Sequence, residues 1–179
     1  MRIIGGQLSG RKFDSPPGNR THPMNERVRG ALFNMLGDVS GLSVLDAYAG
    51  SGALGLEALS RGAAFVQFLE LDAKASQTIG RNIEALGVGG RAKNTRANVN
   101  FWSKRNPKTN FDLILADPPY SEVNLSTISR LGTHIKNKGL MVLSHPGRES
   151  TPTVNGVVVV DNRSYGDAAL AFYRLAVSA

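Results

Sequence analysis

The sequence predicts an α/β fold, a mostly parallel seven-stranded sheet with helices on both faces and a closing antiparallel hairpin. Three observations predict it. Short apolar runs at 43–48, 65–69 and 111–116 alternate with stretches whose apolar residues recur at helical spacing, the pattern of successive βαβ units. A glycine-rich turn follows the first run, and α/β proteins bind nucleotide-like ligands at such turns, outside the carboxyl ends of their strands. The last two apolar runs, 157–160 and 169–175, flank Tyr165-Gly166-Asp167 and read as a hairpin.

Bulk properties narrow the possibilities. With 179 residues and 41% hydrophobic content, the chain is long enough for one well-cored domain and short for two. It has no run of 18 apolar residues, so no membrane span is expected, and Met1-Arg2-Ile3-Ile4-Gly5-Gly6 lacks the apolar core of a signal peptide. Cysteine is absent, which rules out thiolate zinc sites and a cysteine nucleophile and fits a cytoplasmic location. His22, His134 and His145 are too scattered to form a metal site, and none is expected.

The net charge of +7 points to a polyanionic partner. Residues 1–37 contain Arg2, Arg11, Lys12, Arg20, Arg27 and Arg29 against Asp14 and Glu26, and 91–108 contain six more cations and no carboxylate.

Taken in order, residues 1–20 read as an appendage, a short β-hairpin carrying Arg11 and Lys12 followed by the linker Pro16-Pro17-Gly18-Asn19, ahead of a domain over 21–179. A helix is predicted over 24–36, with Thr21 as its cap, Pro23 in its first turn and Gly37 as its stop. Its basic side presents Arg27 and Arg29 to a phosphate backbone. Asp72 caps a helix ending at Gly87; a weak strand lies within 92–98; a helix is predicted over 123–135 and a fifth strand over 140–144. Residues 145–156 give no convincing helix.

The first strand leads into Asp46-Ala47-Tyr48-Ala49-Gly50-Ser51-Gly52-Ala53-Leu54-Gly55. Gly50 and Gly52 supply the freedom of a tight turn and let a ligand approach the backbone. The spacing Gly50-x-Gly52-x-x-Gly55 also matches the dinucleotide fingerprint. Asp46 decides between the two, since a carboxylate at this strand end would repel a pyrophosphate and favour a cationic ligand such as S-adenosylmethionine. Glu70, at the end of the next strand, is placed to accept hydrogen bonds from ribose hydroxyls.

The fourth strand runs into Asp117-Pro118-Pro119-Tyr120. Consecutive prolines fix an extended path, remove two donors and leave their carbonyls free to accept. Asp117 and the Pro118 carbonyl can each accept one N–H of an exocyclic amine while Tyr120 stacks on the ring. This aims the nitrogen lone pair at the donor methyl and lets Asp117 take the released proton.

These motifs resemble the class I S-adenosylmethionine-dependent amino-methyltransferases, whose catalytic signature is [DNS]-P-P-[YFW], and this implies a Rossmann-like fold. A closer resemblance rests on Arg2-Ile3-Ile4-Gly5-Gly6, Glu26-Arg27-Val28-Arg29 leading into Ala31-Leu32-Phe33-Asn34, the 48–63 segment, Arg81-Asn82-Ile83 and Asp117-Pro118-Pro119-Tyr120. Together they resemble the bacterial RsmD family over nearly the whole chain. The resemblance implies transfer of methyl to the N2 amino group of one guanine in 16S rRNA, in the 30S subunit or an assembly intermediate. It also implies S-adenosylhomocysteine as product and no metal. Asp46, Gly50, Gly52, Glu70 and Asn98 would contact the cofactor, with Asn98 at the adenine. Asp117, Pro118 and Tyr120 would hold the guanine, and the N-terminal segment (Arg2, Arg11, Lys12) with Arg27 and Arg29 would grip RNA. A monomer is expected. Where the family usually has Thr-Arg-Pro-Thr, this chain has Thr21-His22-Pro23-Met24.

Base-amine chemistry alone does not choose guanine N2 over adenine N6 or cytosine N4. The alternatives are therefore an exocyclic-amine methyltransferase acting on DNA or another RNA, and a non-catalytic RNA-binding assembly factor. An NAD-dependent oxidoreductase is disfavoured by Asp46.

Overall fold

A computed structural model of the chain describes residues 1–17 and 24–176. Its elements are α1 (Glu26–Leu36), β1 (Ser43–Asp46), α2 (Ala53–Ser60), β2 (Phe65–Glu70), α3 (Ala73–Leu86), β3 (Ala92–Arg96), α4 (Val99–Arg105), β4 (Phe111–Ala116), α5 (Leu125–Gly132), β5 (Ile135–Pro146), β6 (Val157–Tyr165) and β7 (Ala168–Leu175). The sheet has seven strands in the order β3-β2-β1-β4-β5-β7-β6. The first five run parallel, and β7 inserts antiparallel between β5 and β6. The strand order reverses between β1 and β4, so a crevice forms beside their carboxyl ends.

Side-chain alternation along the strands builds two cores. Val44, Val66, Phe68, Leu113, Leu115 and Val142 pack against α1, α2 and α3 on one face. Leu45, Leu69, Ile114, Met141 and Leu143 pack against α4 and α5 on the other. Gly55 sits where α2 crosses the sheet, and a Cβ there would collide with the Phe68 ring. The third glycine of the motif thus serves close helix–sheet packing.

Several elements differ from the sequence expectation. Helix α1 starts at Glu26 because the Asn25 side chain caps it, accepting from Val28 N; the expected cap Thr21, with His22 and Pro23, lies outside the described residues. Helix α4 was not anticipated, since seven residues give too little periodicity; its local signal is Asn98, whose side-chain oxygen accepts from Asn100 N and Phe101 N. The helix expected over 123–135 is shorter, and β5 instead begins at Ile135, which pairs with Phe111 before a register shift. The segment 147–156 contains no helix.

The N-terminal segment is no loose appendage. Its hairpin reduces to one bridge, Arg2 to Lys12, while Ile3 and Phe13 are buried in the α1–α3 core. The buried Glu57 of α2 accepts from Ile4 N and Gly5 N, both at 2.9 Å, and pairs with Arg61 at 2.8 Å. Asn82 of α3 accepts from Asp14 N at 2.9 Å. Gly6 has φ of +79°, and a Cβ on it would strike the Ser60 carbonyl.

Candidate active site

Three carboxylates gather at adjacent strand ends. Asp46 closes β1 and is 1% exposed; its Oδ2 accepts from Gly55 N at 2.9 Å and its Oδ1 has no partner. Burial pushes its carboxyl up to about 7, against the Gly55 N–H, and the charges of Asp117 and Glu70 add to the rise. Glu70 closes β2 and organises the turn: Oε2 accepts from Gly50 N at 2.7 Å and Oε1 from Asp72 N at 2.8 Å. Gly50 and Gly52 have φ of 55° and 81°, the left-handed region where a side chain is strained. Ser51 between them has a buried hydroxyl without a partner among the described residues.

Beside them, β4 delivers Asp117-Pro118-Pro119-Tyr120. Pro118 is buried, Asp117 partly exposed and Tyr120 41% exposed. Pro119 holds φ of −53° and ψ of 127°, so the chain leaves the strand extended. Burial raises the Asp117 carboxyl, while hydrogen bonds from the Ser144 hydroxyl and Met24 N–H pull it down. The Tyr120 hydroxyl lies 3.1 Å from Ser144 Oγ; burial raises it, and so does the Asp117 charge, with Ser144 offsetting.

An unpaired buried carboxylate oxygen beside two further carboxylates is costly unless a cation or proton joins it. The crevice therefore suits a positively charged ligand and opposes a diphosphate. S-adenosylmethionine meets that requirement through its sulfonium and ammonium, with Asp46, the Gly50–Gly52 turn and Glu70 as the residues that would hold it. No cluster of metal ligands occurs among the described residues.

A family model described as "Conserved hypothetical protein 95" matches residues 1–174. The chain belongs to the RsmD family of methyltransferases. A Bacillus subtilis relative named "Putative rRNA methyltransferase YlbH" is 33% identical, over 97% of this chain and 98% of its own length. The Escherichia coli "Ribosomal RNA small subunit methyltransferase D" is 42% identical over 67% of this chain and 60% of its own. The solved structure "Putative methyltransferase yhhF from Escherichia coli" superposes with a TM-score of 0.86 at 33% identity, covering 98% of this chain and 97% of that one.

In this RsmD-family chain the fold brings Asp46, Gly50, Gly52, Glu70, Asp117, Pro118 and Tyr120 to one end of the sheet. Asn98 stands at the same end, after β3, but its side-chain oxygen is engaged in capping α4. The cations expected to face RNA divide into two groups. Arg2, Lys12 and Arg27 are exposed, with Arg2 paired to Glu26 at 2.9 Å. Arg11 spends its guanidinium on the carbonyls of Ala85 and Leu86 at the end of α3. Arg29 has no exposed surface, lies 3.7 Å from Glu57 and donates to the Arg2 carbonyl at 2.7 Å. Its expectation as an RNA contact is corrected: it clamps the N-terminal segment from inside.

Two features escaped the sequence reading. Ser144, at the end of β5, joins Asp117 to Tyr120, and a single serine after an apolar run carries no visible signal. Leu71 and Phe101 are 58% and 66% exposed beside Glu70 and Asn98; a bulky apolar residue directly after a strand-end carboxylate was the available clue. A cavity of about 250 Å³ lined by Leu36, Val39, Asp112, Lys138 and Arg174 lies at the opposite end of the sheet and contains none of these groups.

Proposed function

We propose that this chain transfers a methyl group from S-adenosylmethionine to the exocyclic N2 amino group of a guanine in small-subunit rRNA. One observation carries the reading: the Asp46–Glu70 carboxylates and the Asp117-Pro118-Pro119-Tyr120 corner occupy neighbouring strand ends, β1 and β4 being hydrogen-bonded partners. RsmD-family membership and the relatives' names support rRNA of the small subunit as substrate. The choice of guanine N2 rests on the family resemblance.

When bound, the donor supplies an activated methyl on a sulfonium. Asp46 and Glu70 hold its positive charge and ribose, Gly50 and Gly52 give it room, and Leu71, Phe101 and Asn98 frame its adenine. Asp117 and the Pro118 carbonyl accept the two amine N–H groups and Tyr120 covers the ring, so the lone pair points at the methyl. As the N–C bond forms, the amine proton passes to Asp117. Lys12, Arg2 and Arg27 contact phosphates from the N-terminal segment and α1, a surface that Glu57 and Arg29 keep rigid.

We place the enzyme in the cytoplasm, as a monomer, acting on the 30S subunit or an assembly intermediate. No described helix is long and apolar enough to cross a membrane. The test is mass-spectrometric mapping of nucleosides in 30S particles, naked 16S rRNA and duplex DNA incubated with labelled donor. N2-methylguanine at one rRNA position is expected. Label appearing as N6-methyladenine in DNA, or no transfer, refutes the assignment; binding to 30S particles without transfer would favour an assembly factor.

A further inference from the structure

Ser144 sits 2% exposed at the carboxyl end of β5. The space around it is lined by Met24, Leu32, Leu54, Leu115, Val142 and Leu170. A hydroxyl in such surroundings is unfavourable unless its polar partners justify it. Among the described residues those partners are Asp117 and Tyr120, two of the groups proposed above to hold the target base.

The hydroxyl inventory fixes the direction of this chain. An ionised carboxylate only accepts, so the single Ser144 proton goes to Asp117. The 3.1 Å contact to Tyr120 must then run from the tyrosine O–H to Ser144 Oγ. Met24 N–H donates to the same carboxylate. Asp117 is thereby held from two sides, by a strand end and by the residue preceding α1, with lone pairs left for a substrate amine.

Resting on the proposed base-amine methylation, we propose that Ser144 is a positioning residue that orients the Asp117 carboxylate as an acceptor and ties Tyr120 to it. The groups acting on Asp117 among the described residues are Ser144, Met24 N–H, Tyr120 and the Asp46 carboxylate. Only Ser144 and Met24 N–H favour its charged form. Without the Ser144 donor, Asp117 stays protonated to higher pH and can no longer accept both the amine hydrogen bond and the released proton.

The test compares Ser144→Ala, Ser144→Thr and wild type by carboxyl carbon NMR titration of Asp117 in the free protein, and by the pH dependence of methyl transfer to 30S particles. Removing one charge-assisted hydrogen bond is expected to raise the Asp117 midpoint and the acid limb of kcat together by about one pH unit. Ser144→Ala should lower kcat roughly tenfold at neutral pH while S-adenosylmethionine affinity by calorimetry and Tm stay near wild type. Ser144→Thr, or Ser144→Cys should threonine lower Tm, restores part of both. An unchanged Asp117 midpoint in a folded Ser144→Ala protein overturns the proposal. The titration needs no turnover, so a wild type that transfers no methyl would refute the proposed function and leave the Ser144 result to stand or fall separately.

Discussion

Replacing Asp46 by asparagine separates the two effects of the same carboxylate. In the free protein the buried Asp46 carboxyl titrates near 7 rather than at its ordinary 3.8. Between those values the folded state holds a proton that the unfolded chain has released. The stability this confers is fully present below about pH 4 and is lost as pH rises through about 7. At 1.36 kcal/mol for each tenfold change in proton affinity, the loss amounts to about 4 kcal/mol. Asparagine keeps an oxygen for the Gly55 N–H and carries no charge, so Asp46→Asn should be more stable than wild type at pH 8 by up to about 4 kcal/mol, with the gap closing towards pH 4. Donor affinity should move the other way. Losing a charge-assisted contact worth about 1.5–3 kcal/mol weakens S-adenosylmethionine binding by roughly 10–150-fold. In wild type the donor must displace a proton below pH 7, so its affinity should fall there by up to about tenfold per pH unit, and in the variant it should stay flat. Urea unfolding and calorimetry between pH 5.5 and 8 read both. A variant less stable than wild type at pH 8, or a donor affinity indifferent to substitution and to pH, refutes the reasoning.

Three further outcomes follow from the packing and charge. Gly55→Ala forces a methyl into the Phe68 ring and should lower the urea unfolding free energy by about 1–3 kcal/mol with the m-value unchanged. Arg29→Ala removes the buried partner of Glu57; it should cost about 3 kcal/mol and speed amide exchange across residues 2–13, whereas slow exchange there would show that the clamp lies elsewhere. Arg27→Ala and Lys12→Ala should each weaken 30S binding and reduce the slope of log affinity against log salt by about one, measured by filter binding across a salt series; an unaltered slope would remove them from the RNA interface.

The sequence by itself determined what depends on local pattern. The apolar runs place β1, β2 and β4 within two residues of their observed ends, because an interior parallel strand must be continuously apolar. Asp72 and Gly87 mark the ends of α3 through short-range capping, and the carboxylates with the Asp117-Pro118-Pro119-Tyr120 corner name the chemistry of the crevice. What only the tertiary structure decided concerns contacts between residues far apart in the chain. Glu57 binds Ile4 and Gly5, which turns an apparent appendage into part of the core. Arg29 and Arg11 carry the same charge as Arg27 and Lys12, yet Arg29 is used inside the fold and Arg11 at the end of α3, because burial and partner carbonyls depend on packing that a charge count does not contain. Ser144 likewise acquires its partners only when β5 is laid beside β4, since hydrogen bonds across a parallel sheet join segments that no sequence spacing brings together.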